Sequence, residues 1–75
     1  MKISDLGLAV ALIVSGHELL DMRKISPTKC EFEFDDFFNT RHDKDLYFKK
    51  ELQVDAMKYF EEMRTLKSRL HALLN

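Results

Sequence analysis

Ser4 to Met22 reads S-D-L-G-L-A-V-A-L-I-V-S-G-H-E-L-L-D-M. The spacing predicts a capped helix, a glycine stop and a strand leaving that stop. Ser4 is placed to be the N-cap, its hydroxyl accepting from free backbone N–H groups of the first turn. Asp5 follows, where a carboxylate meets the positive end of the helix dipole. From Leu6 to Val14 only Gly7 lacks an apolar side chain. Leu6, Ala9, Val10 and Ile13 form one stripe, and Leu8, Ala11 and Leu12 form a second. A helix apolar on both sides is either sandwiched between two layers or part of an interface. Gly16 sits where a left-handed residue would end the helix. The β-branched Val10, Ile13 and Val14 make a buried strand the competing reading. Ser-Asp before the run and Gly after it favour helix.

Met1-Lys2 followed by an apolar run also has the outline of a secretory leader. Asp5 fits such a leader poorly, and the run is the most apolar in the chain, so it is read as part of the fold. It falls well short of the ~20 residues that span a bilayer.

Seventy-five residues make a single domain, 1–75, and 45% hydrophobic with 33% charged residues is a globular balance. A chain this short buries only about 60% of its unfolded surface, so good packing, self-association or a partner must supply the rest. One cysteine excludes an intrachain disulfide. Twelve basic against thirteen acidic residues leave a net charge of −1. Neither a strongly basic nucleic-acid binder nor an acidic DNA mimic is indicated. With one cysteine, no membrane span and no clear leader, the expected place is the cytoplasm.

Beyond Gly16 the period becomes alternating. Strands are predicted over about 18–25 and 29–35, joined by Ser26-Pro27-Thr28. In the second, Cys30, Phe32 and Phe34 share one face, and Lys29, Glu31 and Glu33 the other. A three-residue loop pairs Ile25 with Lys29, Lys24 with Cys30, Met22 with Phe32 and Leu20 with Phe34. Arg23 then faces Glu31, and Asp21 faces Glu33, a like-charge pair. Asp35-Asp36 are positioned to cap a helix over about 36–50, open to a break near Asn39-Thr40. Asp55 caps a last helix over about 55–74, with Val54 and Tyr59 as a staple. Tyr59, Met63, Leu66, Leu70 and Leu73 form a seam over roughly two heptads, widened by Met57, Phe60 and Leu74. The expected fold is α+β, in the order α-β-β-α-α, with the hairpin's apolar face against helices.

No constellation of side chains specifies a reaction. Cys30 alternates with Phe32 and Phe34 and reads as a core thiol. His17, His42 and His71 have no metal-ligand spacing. His17 reads as a cap on the last carbonyls of the first helix. His42 lies among acidic residues, where a solvated turn outweighs a hard-cation site. Two glycines leave no phosphate loop. No catalytic, cofactor or metal residue is assigned, and the chain reads as a non-enzyme.

Two surfaces remain. Leu8 and Leu12 have no evident packing partner, and Leu73 and Leu74 lie at the far end of the last helix's seam; these four form the candidate partner surface. Most carboxylates precede residue 46, so the second half is more basic. Lys49, Lys50, Arg64, Lys67 and Arg69 are the candidate phosphate contacts. The phenylalanines read as core residues, which leaves no exposed aromatic for base stacking.

Ser4-Asp5-Leu6, Ala9 to Gly16-His17, Phe32-Glu33-Phe34-Asp35 and Asp55 to Leu70 together resemble a family of small domains found in phages and prophages. The resemblance covers most of the chain and carries no catalytic residues. It implies a mobile-element context and action on a macromolecule of host or phage, inhibitors of host defence included. The first expectation is therefore a non-enzymatic protein that binds a protein partner, with a homodimer as one form of association. A nucleic-acid accessory role through the basic half is the alternative. Capture of a small nucleotide signal between protomers is weaker.

Overall fold

A computed structural model describes residues 1–75. The elements are β1 (Lys2–Ile3), α1 (Leu6–Val14), β2 (Asp21–Ser26), β3 (Lys29–Glu33), α2 (Phe38–Phe48) and α3 (Ala56–Leu74). The strands form an antiparallel sheet in the order β1-β3-β2. The class is α+β, as expected, with a strand added at the front of the expected order. β1 pairs Lys2 with Glu33 and Ile3 with Phe32. Beyond it, Phe34 N–H donates to the Met1 carbonyl at 2.9 Å. A strand of two residues is too short to carry a periodic signal, which is why it does not stand out in the sequence.

Asp5, rather than Ser4, caps α1: its carboxylate accepts from Leu8 N–H at 3.1 Å. At the other end Gly16 has φ 99°. Gly16 N–H donates to the Ile13 carbonyl and His17 N–H to the Leu12 carbonyl, both at 3.0 Å. These two bonds define a Schellman motif, which only a residue in the left-handed region can close.

The hairpin register is as read from the sequence over Asp21↔Glu33, Met22↔Phe32, Arg23↔Glu31 and Lys24↔Cys30. The like-charge pair Asp21–Glu33 is bridged by Arg23, whose guanidinium reaches Asp21 at 3.4 Å and Glu33 at 3.0 Å. At the turn the expected Ile25–Lys29 pair is replaced by Ser26↔Lys29. Only Pro27 and Thr28 form the turn. Proline holds φ negative and neither residue is left-handed, so this is not a primed hairpin turn, and the irregularity at Ile25 takes up the mismatch with the strand twist. Ile25 is left as the irregular residue, exposed to solvent. Leu20 lies outside β2 and is also exposed, although its N–H donates to the Glu33 carbonyl at 2.8 Å.

α1 lies at the centre. Leu8, Ala9, Val10, Ala11 and Leu12 are all buried, with side chains from the sheet, α2 and α3 packed around the same cluster. Leu8 and Leu12 are fully enclosed and offer no partner surface, contrary to expectation. The helix takes the sandwiched solution, and burying that stripe supplies much of the apolar area this short chain needs. The rest of the core is Ile3, Cys30, Phe32, Phe34 and Leu66.

α2 is continuous through Asn39-Thr40 and starts two residues later than read, after Phe37. Neither Asp35 nor Asp36 is the N-cap. Asp35 turns the chain into the helix instead, accepting from Phe37 N–H at 3.0 Å. α3 is capped as expected by Asp55, which accepts from Lys58 N–H at 3.0 Å. Its seam faces α1, with Leu66 fully buried and Tyr59, Met63 and Leu70 half-buried. Met57 and Phe60 do not widen it; both point to solvent.

Candidate functional site

Three features of the surface and its underlying polar groups carry chemistry. The first ties together the ends of α1 and β3 and the first half of α2. His17, just past the α1 stop, does not cap α1 with its ring. Its Nε2 lies 2.6 Å from the Asp43 carboxylate of α2, and its Nδ1 lies 3.2 Å from the Thr40 hydroxyl. That hydroxyl in turn donates to Asp35 at 2.5 Å. Thr40 is 1% exposed and is the sole buried polar residue. Its hydroxyl and the Phe37 amide hold the Asp35 carboxyl below the usual carboxylate range.

Hydroxyl, imidazole and carboxylate in a row suggest a nucleophile relay. The hydrogen bonds argue against that use. Thr40 has one proton, and Asp35 receives it, so the hydroxyl is not activated by His17. The oxygen is also enclosed, with no room for an attacked carbonyl. The cluster is a clamp joining three elements, and its chemistry is that of satisfied buried polarity. No spacing in the sequence marks this cluster, because His17 and Thr40 are 23 residues apart and meet only in the fold.

The second feature is an apolar cleft where the three helices meet. Ala11, Tyr47, Leu52, Val54, Ala56 and Tyr59 line a volume of about 320 Å³. Val54 and Tyr59, read as a staple, thus both face the cleft. At its inner end Tyr59 O–H donates to the Gly7 carbonyl at 3.4 Å. A Cβ on Gly7 would come within 2.7 Å of the Tyr47 hydroxyl, so glycine is what lets this tyrosine lie against α1. Burial, with Asp5 and Tyr59 nearby, pushes the Tyr47 phenol above its ordinary value.

Directly beside these lining residues in the chain stand Phe48, Met57 and Phe60, all more than half exposed. At the other end of α2, Phe37 and Phe38 are 73% and 78% exposed. Four of the six phenylalanines are therefore outside the core, against the reading from sequence; only Phe32 and Phe34 are within it. The strand's alternation identifies the buried pair. Nothing local distinguishes the exposed ones, because their fate depends on which helix face meets α1.

The third feature is the basic set. Lys49, Lys50, Arg64, Lys67 and Arg69 are all exposed. They do not share one face: Arg69 lies about 140° around α3 from Arg64, and further still from Lys67. Arg64 and Arg69 border a shallow depression with Glu61, Thr65 and Ser68. Arg64 also lies over the Phe60 ring, 5.9 Å from its centre.

The remaining expected residues are placed as follows. Cys30 is buried, and desolvation raises its thiol pKa, so it stays protonated. His42 stacks on Phe38, with ring centres 5.8 Å apart and planes 6° from parallel. No three histidine, cysteine or acidic side chains converge as a metal cluster would require. Leu73 is 37% exposed at the far end of α3 and Leu74 is half-buried. No helix is long and apolar enough to cross a membrane.

The geometry defines a small α+β domain whose distinctive surface is aromatic and aliphatic. No protein-family model, curated protein or solved structure matches the chain.

Proposed function

We propose that this chain is a small non-enzymatic binding protein that works by docking onto a protein partner. The observation that carries the reading is the apolar cleft of Ala11, Tyr47, Leu52, Val54, Ala56 and Tyr59, flanked in the chain by exposed Phe48, Met57 and Phe60. Small folded proteins keep large apolar side chains clustered at the surface chiefly where something covers them. Aromatic residues and methionine around a concave apolar centre are the composition of an interface core. Lys49, Lys50, Lys58 and Arg64 near this surface in the chain favour a partner with an acidic rim around an apolar anchor. The resemblance to small phage and prophage domains supports a further step. The partner is then a component of a bacterial defence system, met in the host cytoplasm and blocked by occupancy.

The test is affinity purification from bacterial cells with quantitative mass spectrometry, comparing the wild-type chain with Phe60→Glu and Met57→Glu. Both substitutions are at exposed positions and leave the core alone. A protein retained by the wild type and lost with both variants, with unchanged circular dichroism, is the expected result. If every retained protein survives both substitutions, the cleft is not the contact.

Nucleic-acid binding is the second reading. Phe60 beside Arg64, and Phe48 before Lys49-Lys50, supply the stacking surfaces that the sequence had hidden. The scatter of cations around α3 weighs against it. It requires a mobility shift with single-stranded DNA or RNA that fades as salt rises; no shift at low salt removes it. Capture of a nucleotide signal has the least support, since the cleft lining contains no charged group.

A further inference from the structure

The sheet ends on one side in β2, whose outer edge has no strand beside it. Met22 N–H is not used by β3; it donates to the carboxylate of Asp21, at 2.8 Å. Met22↔Phe32 is therefore a non-hydrogen-bonded pair of the hairpin. By the alternation of an antiparallel ladder, Met22 and Lys24 turn their N–H and C=O groups outward. Beside this edge, Met22, Arg69, Ala72 and Leu73 line a shallow groove between β2 and α3 that is mostly apolar. Leu20, exposed just before the strand and on the same alternation as Met22, extends the apolar surface.

We propose that this edge takes a second copy of the chain, β2 pairing antiparallel with β2 about a two-fold axis at Met22. The occupant follows from charge. Three two-fold registers use the outward groups of Met22 and Lys24. Centring on Arg23 stacks Arg23 on the partner copy's Arg23. Centring on Lys24 stacks lysine on lysine. Centring on Met22 sets Asp21 opposite Arg23 of the other copy, twice, and puts Met22 against Met22 over the groove. The same register gives the Met22 pair both of its backbone bonds, and lets each Lys24 N–H reach the carbonyl of the other copy's Leu20.

Asp21 has a place in this scheme in both states. In the single chain its carboxylate covers the Met22 N–H and pairs with its own Arg23 at 3.4 Å. Pairing moves that carboxylate across to the other copy's Arg23 and frees the N–H for the ladder. Arg23 and Lys24 otherwise act as the charges that guard an edge against indiscriminate strands. Arg23 keeps its contacts with Glu33 at 3.0 Å and Glu31 at 3.6 Å through the exchange, and a strand with a cation opposite it is disfavoured. The contact is one short ladder and one shallow groove, below the ~1,200 Å² of a tight interface. Self-association in the micromolar range is expected, with Leu73 covered in the dimer.

Sedimentation equilibrium over a wide concentration range is the measurement. The wild type is expected to pass from monomer to dimer. Met22→Pro deletes an N–H that β3 does not use and should give a folded monomer throughout. Asp21→Lys sets two cations opposite each other twice and should weaken association on the order of tenfold. Single cysteines distinguish the registers: Met22→Cys should form an oxidative cross-link between copies, and Arg23→Cys and Lys24→Cys should not. A wild type that stays monomeric at millimolar concentration overturns the proposal. So does a dimer that survives Met22→Pro, or one that cross-links through position 23 or 24. Phe60→Glu should leave dimerisation unchanged, so failure here and failure of the cleft reading are separable.

Discussion

Phe32 and Phe34 on β3 and Phe37 and Phe38 at the start of α2 are four phenylalanines within seven residues, and they have opposite fates. The first pair is 1% exposed at each position; the second is almost free of the fold. The difference is one of period, not of hydrophobicity. On a strand, alternation with Glu31 and Glu33 commits Phe32 and Phe34 to one face. Adjacent residues entering a helix diverge by about 100°, and α2 turns Thr40 and Tyr47 inward. Apolar residues that a fold does not use for its core are available for contact with something else.

The largest test of that contrast is truncation at each site. Phe32→Ala should cost about 3–5 kcal/mol, enough to unfold most of a domain this small under mild denaturant. Phe38→Ala should lie within about 0.5 kcal/mol of wild type. Urea unfolding followed by circular dichroism reads both. Equal costs would mean that Phe38 is covered in solution.

Asp35, between the two phenylalanine pairs, belongs to the polar clamp with Thr40 and His17, where a smaller loss is expected. Thr40→Val keeps the shape but removes the hydroxyl that Asp35 accepts from and that His17 faces, at a cost of about 1–3 kcal/mol. Stability against pH gives a second reading of the same group. The folded Asp35 carboxyl sits below its ordinary value, so its contribution is present above roughly pH 4 and is lost as pH falls through the lower folded value. The acid limb of a thermal-melt series should steepen in the wild type and flatten in Thr40→Val. An unchanged acid limb would show that the Thr40–Asp35 bond does not hold the ionised carboxylate.

The hairpin was legible because two independent signals agree: the alternation of Cys30, Phe32 and Phe34, and a turn at Pro27-Thr28. Its register held from Asp21 to Lys24 and failed at both ends: at Ile25, where a shorter turn took Ser26 into the pairing, and at Leu20, whose expected partner Phe34 bonds to Met1 instead. The helices were legible from Gly16 and Asp55. What could not be read were relations between elements. Leu8 and Leu12 look unpartnered until a layer is known to lie on each side of α1. Phe48 and Phe60 look like core until α3 is known to meet α1 through Tyr59, Met63, Leu66 and Leu70. His17 finds Asp43 only because α2 crosses the end of α1, a contact separated by 26 residues in sequence.

The smallest effects belong to the two helix stops, which share one geometry with different residues. α2 ends as α1 does: Lys50 N–H donates to the Tyr47 carbonyl at 3.0 Å and Glu51 N–H to the Leu46 carbonyl at 2.9 Å. The left-handed position here is held by Lys50, at φ 62°, where α1 uses Gly16. A side chain there strains against the backbone, and lysine accepts that strain because the two end bonds require the conformation. Gly16→Ala should therefore destabilise by about 1 kcal/mol, although nothing lies within 4 Å of the added carbon. Lys50→Gly should do the reverse, gaining about 0.5 kcal/mol after the extra freedom of glycine in the unfolded chain is subtracted. Thermal midpoints of the two variants should move in opposite directions. If both fall, Lys50 contributes through its charge or its stem more than it loses through φ, and the two stops are alike in hydrogen bonding alone.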